Sequence, residues 1–464
     1  MASSSSLSPP KVPKELYFIN REKVLNSLRQ HLTETSRPLH GFVLLQGGEE
    51  QTRYCTDHLE LFRQESYFAY LFGVREPGFY GAIDIATGKS ILFAPRLPPD
   101  YAVWLGKIKP LSYFQEKYMV NMVYYTDEIV GVLQGHYKEP GKPLLFLLHG
   151  LNTDSNNFSK PAQFEGMEKF ETELNTLHPI LSECRVFKSD HELALIQFAN
   201  DISSEAHVEE RFKAIELDNP MQTQSVYISR VLPSFLSACA VLHYGHAAAP
   251  NDRAWRTMHL RKMDVLCWKL SPLHNLTFED GDMALLDMGA EYQFYGSDIT
   301  CSFPVNGKFT SDQSLIYNAV LKAHNAVINA MKPGVCWVDM HKNVDEMMAA
   351  RLGAVFMPHG LGHFLGIDTH DPGGYPKVIT VEPGCYFIDA LLVPAMENES
   401  TSKFFNHEVI GRFKDFGGVR IESDVLVTAN GSKNMTSVPR EISDIEAIMA
   451  GAPWPSNKTA PSNS

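Results

Sequence analysis

Five residues in the second half of the chain have side chains suited to binding divalent metal ions. Four are carboxylates in segments that are otherwise typical of buried strands, and the fifth is a histidine in the glycine-rich run Met357–Gly366. Burying four like charges together is prohibitive unless cations neutralise them. Two divalent ions would cancel four carboxylates one for one, which suggests a two-metal hydrolase. The five residues are Asp287, Asp298, His363, Glu382 and Glu422.

The case for metal depends on the combination, because a single aspartate in an apolar strand more often accepts a structural hydrogen bond. His359 and His363 have the four-residue spacing of a helical zinc pair, but two glycines between them disfavour a helix and no glutamate follows His359. Glycines at such a place indicate a close approach of the backbone to a ligand. Oxygen-rich ligation with one imidazole favours Mn, Mg, Co or Fe over a sulfur-seeking metal.

Predicted strands position most of these side chains. The segments Met283–Met288 and Ser297–Phe303 are expected to pair, so that Asp287 and Asp298 face each other across a ribbon. A further strand is predicted over Val419–Val427. By the two-residue period of a strand, the residues that share one of its faces are Arg420, Glu422 and Asp424.

The N-terminal part of the chain alternates predicted strands and helices. Gly41–Gln46 and Tyr80–Ile85 are short apolar runs bounded by turn residues, which is typical of strands. Ser189–Glu192 has the capping-box pattern, so a helix is expected to begin there and a domain boundary is predicted near Cys184. We therefore predict an N-terminal domain over 15–183, a catalytic domain over 184–448, and disordered polar tails over 1–14 and 449–464.

Composition narrows the classes of partner. The net charge is −13 over 464 residues and no basic stripe is present, which disfavours nucleic acid and anionic membranes as partners. The seven cysteines are scattered without a Cys-x-x-Cys pair, so neither a zinc knuckle nor a disulfide framework is indicated. The start of the chain lacks the apolar core of a signal peptide, and the apolar run Pro143–Leu148 is far too short to cross a membrane. We expect a cytoplasmic protein.

Short motifs along most of the chain carry a family resemblance. They are Gln46–Glu50, Leu61–Ser66, Pro95–Leu97, Val241–His246, Leu286–Gly289, Ser297–Ser302, His359–His363, Val381–Gly384 and Gly418–Glu422. Through them the chain resembles the prolidases, which are Xaa-Pro dipeptidases among the metal-dependent pita-bread peptidases. The resemblance implies an α+β fold, with an aminopeptidase P-like α/β domain followed by a pita-bread (creatinase/aminopeptidase-like) catalytic domain. It also implies a homodimer.

The resemblance further implies roles for individual residues. Two divalent ions, with Mn²⁺ as the expected metal, would be held by the five ligands named above, with Asp298 and Glu422 bridging. A hydroxide held between the ions would attack the Xaa-Pro carbonyl, and Glu382 would shuttle the proton. His359 and His370 would join Glu382 as catalytic residues. The residues that would hold the substrate are His243, His370 and Arg420, and the arginine fork suits the proline carboxylate.

Four segments depart from the family pattern: 208–240, 254–278, the region near 347–351, and 376–381, where a loop with a substrate-binding arginine is shortened. Two alternatives therefore stay open. One is an aminopeptidase P-like enzyme, which removes the first residue from longer X-Pro peptides. The other, which these departures support, is a chain without activity: a non-catalytic binding protein on the same fold, or an inactive splice-type variant that keeps the metal ligands.

Overall fold

The computed structural model describes residues 10–105, 107–214, 240–244, 280–348, 352–372, 378–413 and 416–454. Two compact units are present: Lys11–Glu192 with His370–Tyr375, and Leu193–Thr369 with Pro376–Ser464 and Met1–Pro10. The mixture of helices and strands confirms the predicted α+β class. The domain boundary near Cys184 stays a prediction. Of the predicted tails, residues 1–9 and 455–464 lie outside the described residues, as do the segment 254–278, most of 208–240, and residues 349–351 and 376–377 of the two shortened segments.

The N-terminal unit is built around a six-stranded sheet. Its strands are β1 (Phe42–Gln46), β2 (Tyr80–Asp84), β3 (Ser90–Ala94), β4 (Met122–Tyr125), β5 (Leu144–Leu147) and β8 (Glu171–Glu173). Neighbouring strands follow the spatial order β4-β3-β2-β1-β5-β8. A separate hairpin joins β6 (Leu151–Asn152) and β7 (Asn157–Phe158). β1 pairs antiparallel with β2 and parallel with β5, so both strands predicted in this region are confirmed.

Six α-helices are described before Ser189, and the fifth of them packs its buried Ile129 and Leu133 against apolar residues of this sheet. They are α1 (Glu15–Glu34), α2 (Ser66–Phe72), α3 (Ala102–Leu105), α4 (Leu111–Tyr118), α5 (Ile129–His136) and α6 (Leu177–Val186). The next helix, α7 (Asp190–Ala214), begins where the capping box predicts. Ser189 N donates to Glu192 Oε2 at 2.7 Å, and Glu192 N donates back to Ser189 Oγ at 3.4 Å.

A buried ion cluster holds the segment that contains His370 within the N-terminal unit. Asp371 accepts hydrogen bonds from Arg185 Nη2 at 2.5 Å and from Lys188 Nζ at 2.8 Å. Lys188 also donates to the carbonyl of Arg185 at 2.6 Å. The three side chains are at most 3% exposed, so this carboxylate is the counter-ion of two buried cations.

In the part of the C-terminal unit that the structure describes, the strands form three sheets. The strands of the first sheet are β9 (Ala240–Tyr244), β10 (Met283–Tyr292), β11 (Tyr295–Gly296) and β12 (Ile299–Pro304). Those of the second sheet are β13 (Val378–Val381), β16 (Ser423–Thr428) and β17 (Gly431–Asn434). The third sheet pairs β14 (Gly384–Tyr386) with β15 (Gly418–Arg420). The predicted pairing of the ribbon is confirmed, since β10 and β12 are antiparallel neighbours. The prediction of one strand over Val419–Val427 is wrong, because the chain leaves the third sheet after Arg420 and enters the second at Ser423.

The remaining helices of this unit are α8 (Ser311–Ala330), α9 (Trp337–Met348), α10 (Gly353–Phe356), α11 (Asp389–Glu397), α12 (His407–Arg412) and α13 (Ile442–Met449). Apolar residues of α8 and α13 pack with β12 and β15 around the buried Tyr317 and Ile421. None of the described helices is long and apolar enough to cross a membrane. Among the described residues, no disulfide is formed by Cys55, Cys184, Cys301, Cys336 or Cys385.

Candidate metal centre

The ribbon of β10 and β12 positions the two aspartates. Asp287 lies opposite Thr300 in the register of the pair, and Asp298 immediately precedes β12. The backbone N–H of Asp298 donates to Asp424 Oδ2 at 2.9 Å, which fixes the end of the strand. Gly289 is required beside it, because a Cβ there would lie 1.8 Å from the carbonyl oxygen of Ser297. The Asp-Met-Gly sequence therefore combines a predicted ligand with a close backbone approach.

The glycine-rich loop brings His363 to β13. His363 N donates to Thr380 Oγ1 at 3.0 Å, and Thr380 N donates to the carbonyl of His363 at 2.9 Å. Gly362 permits this contact, because a Cβ there would lie 1.9 Å from the carbonyl oxygen of Thr380. Glu382 follows the end of β13, and its N–H donates to the carbonyl of Leu361 at 2.9 Å. Histidine and glutamate are therefore presented from adjacent segments.

Glu422 lies where the chain passes between two sheets. Its N–H donates to the carbonyl of Thr300 at 3.1 Å, and its Oε2 accepts a hydrogen bond from Thr300 Oγ1 at 2.5 Å. Both residues are buried, with 1% of Glu422 and 0% of Thr300 exposed. Thr300 therefore holds this carboxylate through its backbone and its side chain together.

The predicted ligands meet in one cluster. The ligand atoms of Asp298, His363 and Glu422 all lie within 4.8 Å of one another. His363 Nε2 is 3.5 Å from Asp298 Oδ2 and 3.6 Å from Glu382 Oε1. Asp287 adjoins the cluster, since its carboxylate is in electrostatic contact with Asp298. The structure thus brings together all five residues that the sequence singled out.

The electrostatics of the cluster fit a cation site. Burial, followed by the neighbouring Asp287, raises the pKa of Asp298 to about 7. Burial and the charges of Asp298, Glu382 and Asp287 raise the pKa of Glu422 well above its usual range. Burial lowers the pKa of His363, but Asp298 and Glu382 outweigh it and raise that pKa to about 9. Divalent cations would relieve the repulsion among these carboxylates, so the donor set suits them.

Arg420 lies against this cluster. Its Nη2 contacts Asp287 Oδ2, and its Nε donates to Thr300 Oγ1 at 3.0 Å. The same Nε lies 3.9 Å from Glu382 Oε2, and Nη1 donates to Tyr386 Oη at 3.4 Å. The guanidinium is therefore a fixed positive charge among carboxylates that would otherwise repel one another.

A hydrogen-bonded chain connects His359 to Arg420 through Tyr386. Tyr386 Oη lies 2.8 Å from His359 Nε2, and His359 Nδ1 lies 2.7 Å from the carbonyl of Gly360. A carbonyl only accepts, so Nδ1 carries the proton and Nε2 accepts from the tyrosine hydroxyl. Burial lowers the pKa of His359, which keeps the ring neutral. His359 Nδ1 also lies 3.9 Å from Glu382 Oε2.

Thr300 and Tyr386 are absent from the sequence-based site. One signal for them exists, since each is a hydroxyl residue a short step from a predicted ligand, two residues after Asp298 and four after Glu382. The backbone of His243 lies opposite Gly289 in the pairing of β9 with β10, and its side chain is outside the described part of the structure. His370 belongs to the N-terminal unit, where its Nδ1 is 3.8 Å from Asp154 Oδ2. The substrate roles of both histidines stay predictions.

Comparison with known proteins places the chain in a family. Residues 237–429 match the model of metallopeptidase family M24, and residues 17–145 match the aminopeptidase P N-terminal domain. The human (Homo sapiens) Xaa-Pro dipeptidase is 46% identical, with 95% of this chain and 94% of that protein covered. A probable Xaa-Pro aminopeptidase of Verticillium alfalfae is 31% identical, with 91% of this chain and 95% of that protein covered.

Solved structures share the fold. Aminopeptidase PepP of Pseudomonas aeruginosa has a TM-score of 0.69 at 24% identity, covering 95% of this chain and 98% of that chain. The zinc-substituted aminopeptidase P of E. coli has a TM-score of 0.69 at 23% identity, covering 95% of this chain and 99% of that chain. Together with the sequence matches, these likenesses confirm the predicted order of an aminopeptidase P-like domain and a pita-bread domain. The chain belongs to metallopeptidase family M24 and carries the aminopeptidase P type of N-terminal domain.

Proposed function

We propose that the protein is an Xaa-Pro dipeptidase, which hydrolyses dipeptides with C-terminal proline or hydroxyproline. The observation that carries the proposal is the cluster of Asp298, His363 and Glu422 in a chain 46% identical to the human Xaa-Pro dipeptidase. A dedicated enzyme is chemically reasonable, because the nitrogen of an Xaa-Pro bond bears a ring and has no hydrogen. Peptidases that recognise a backbone N–H at the scissile bond, or that need an ordinary residue after it, are poorly suited to hydrolysing an Xaa-Pro bond.

The metal centre would be formed by Asp287, Asp298, His363, Glu382 and Glu422, which present eight carboxylate oxygens and one imidazole. Two divalent ions, when bound, supply an activated water and polarise the scissile carbonyl. We propose Mn²⁺, because oxygen-rich ligation with one imidazole suits it better than a sulfur-seeking metal. Asp298 and Glu422 would hold the ions together with His363, since ligand atoms of these three residues lie within 4.8 Å of one another.

The neighbouring residues would handle protons and the substrate. We assign to Glu382 the transfer of a proton from the attacking water to the proline nitrogen, and the assignment is supported by the position of its carboxylate 3.6–3.9 Å from His363, His359 and Arg420. Arg420 offers the forked, permanently charged group that a proline carboxylate requires. His359 is neutral and would accept or pass on hydrogen bonds in the same pocket. We assign substrate contacts to His243 and His370 as well.

The first experiment is hydrolysis of Gly-Pro by the purified chain with added Mn²⁺, alongside measurement of metal per subunit. We expect chelation to remove turnover and Mn²⁺ to restore it. Asp287→Asn should abolish turnover and lower the metal content, because it removes one anionic ligand from the centre. Normal activity in that variant would overturn the assignment of the site.

The alternative is an aminopeptidase P-like activity, which the 31% identical fungal relative favours. Comparing Gly-Pro with Arg-Pro-Pro separates the two activities, and preferential cleavage of the tripeptide would favour the alternative. An inactive splice-type variant would be recognised by a folded chain that holds metal but hydrolyses neither peptide.

We also propose a cytoplasmic homodimer without nucleic-acid or membrane partners, because the charge is −13 and the sequence resembles dimeric peptidases. Light scattering would give the mass of the assembly, and cell fractionation would give its location.

A further inference from the structure

Arg440 is outside the ligand set but hydrogen-bonds to the backbone at Thr300 and Glu422. Its Nη1 donates to the carbonyl of Thr300 at 2.8 Å, and its Nη2 donates to the carbonyl of Glu422. The same Nη2 donates to Ser423 Oγ at 3.0 Å, and Nη1 lies 3.5 Å from the sulfur of Cys301. One guanidinium therefore joins β12 to the segment between β15 and β16.

The segment that Arg440 holds has little strand pairing of its own. β15 ends at Arg420 and β16 begins at Ser423, so Glu422 lies in the gap between two sheets. A carboxylate in such a gap is positioned by its individual backbone contacts, because no continuous ladder fixes it. These contacts are the N–H bond to Thr300 and the carbonyl bond to Arg440.

The side chain of Thr300 connects these backbone contacts to the carboxylate of Glu422. Thr300 Oγ1 donates to the Glu422 carboxylate at 2.5 Å, while the carbonyl of Thr300 accepts from Arg440. Arg440 thus binds the backbone of both partners in this hydrogen bond. A shift of either backbone would move the carboxylate relative to Asp298 and His363, whose ligand atoms lie within 4.8 Å of it.

Arg440 is itself held in place. Its carbonyl accepts a hydrogen bond from Tyr317 Oη at 2.9 Å, and Tyr317 is fully buried on α8. Ser423 Oγ, which accepts from Arg440, also lies 3.1 Å from the buried His324 Nε2. The guanidinium therefore connects rigid elements and is not a mobile surface charge.

We propose that Arg440 is a positioning residue for the metal centre, which sets the place of Glu422 by clamping the carbonyls of Thr300 and Glu422 with its two terminal nitrogens. The inference rests on the proposed function for its enzymatic readout. Residues that orient metal ligands without touching the metal change affinity or activity about 10- to 100-fold when mutated. A planar fork is needed, because an ammonium is a single point that cannot span two carbonyls in fixed geometry.

The test uses Mn²⁺ alone as the probe, measured by calorimetric titration of the full-length, metal-stripped chain. We expect Arg440→Met to weaken Mn²⁺ binding about 10- to 100-fold. Arg440→Lys should recover part of that loss. With Gly-Pro and saturating Mn²⁺, kcat should fall while KM changes little, because the hydrogen bonds of the Arg440 guanidinium described above go to Thr300, Glu422 and Ser423, which are not among the residues proposed to hold the substrate. Arg412→Met is the matched control, since Arg412 is an exposed arginine paired with Asp312, and it should behave as the unmodified chain.

The outcomes separate this inference from the proposed function. An unmodified chain that neither binds Mn²⁺ nor hydrolyses Gly-Pro would overturn the function, whatever the variants do. If the unmodified chain does both, unchanged Mn²⁺ affinity in a folded Arg440→Met variant overturns the positioning role. Should Arg440→Met fail to fold, Arg440→Lys decides. Weaker Mn²⁺ binding by Arg440→Lys with an unchanged KM for Gly-Pro supports the positioning role. Mn²⁺ affinity equal to that of the unmodified chain overturns it.

Discussion

The hydroxyl of Thr300 is predicted to be necessary for full metal binding and activity. It donates to Glu422 Oε2 at 2.5 Å and accepts from Arg420 Nε at 3.0 Å, in a position with no solvent exposure. Thr300→Val removes the hydroxyl and nearly preserves the shape of the side chain. The buried carboxylate then loses a donor that water cannot replace, which orients it less well toward a metal.

The size of the effect follows from the kind of bond lost. A hydrogen bond to a charged group contributes about 1.5–3 kcal/mol. At about 1.4 kcal/mol for each factor of ten, losing the bond to Glu422 should weaken Mn²⁺ binding roughly 10- to 100-fold. Losing the hydrogen bond from Arg420 should lower kcat further, because that guanidinium would be less firmly oriented.

The assay is calorimetric Mn²⁺ titration together with Gly-Pro hydrolysis, comparing Thr300→Val with Thr300→Ser. Serine keeps the hydroxyl and removes only the methyl group, so its metal affinity should stay within a few-fold of that of the unmodified chain. Equal affinities in the two variants, whether both normal or both reduced, would refute the reasoning, since the effect would then not depend on the hydroxyl.

Three further predictions concern stability. Asp371→Asn should lower the free energy of unfolding by about 3–5 kcal/mol in urea, because it removes the shared counter-ion of two buried cations; the exposed Asp127→Asn serves as control and should leave the midpoint unchanged. Burial, followed by the charge of a nearby arginine, lowers the pKa of His324 to about 3. Below the unfolded pKa of about 6.5, only the unfolded state therefore binds this proton, and the free energy of unfolding decreases as the pH is lowered. His324→Gln should therefore make stability between pH 4 and 6.5 less steep by up to about 1.4 kcal/mol per pH unit, and an unchanged slope in urea titrations would contradict this. Gly362→Ala should lower the free energy of unfolding by about 1–3 kcal/mol and weaken Mn²⁺ binding, because its Cβ would lie 1.9 Å from a backbone oxygen of the neighbouring strand. Gly431→Ala is the control, and it should change neither quantity because there is open space around Gly431.

Sequence reasoning was most successful where the signal is local. The short apolar runs of β1, β2 and the ribbon of β10 and β12 are a property of consecutive residues, and these strands are present as expected. The capping box at Ser189 is likewise a contact across three residues. The predicted strand over Val419–Val427 failed because the two-residue period does not reveal where a strand changes its partner.

The residues that organise the site are mostly distant in sequence from those they hold. Thr300 and Glu422 are 122 residues apart, and Arg440 donates to a carbonyl 140 residues away. Neither a spacing nor a composition marks such pairs. Tyr386, which joins His359 to Arg420, is marked only by its nearness to Glu382 in the chain.

The sequence by itself determined which chemistry is possible, because four carboxylates and a histidine in apolar segments require cations if the fold buries them together. It also determined the family, since its motifs and their order match along most of the chain. The tertiary structure decided which oxygen and nitrogen atoms meet within 4.8 Å, which hydroxyl supports Glu422, and which arginine clamps its backbone. The physical reason is that ligand identity is a property of single side chains, whereas ligand geometry depends on hydrogen bonds and packing between segments that only folding brings together.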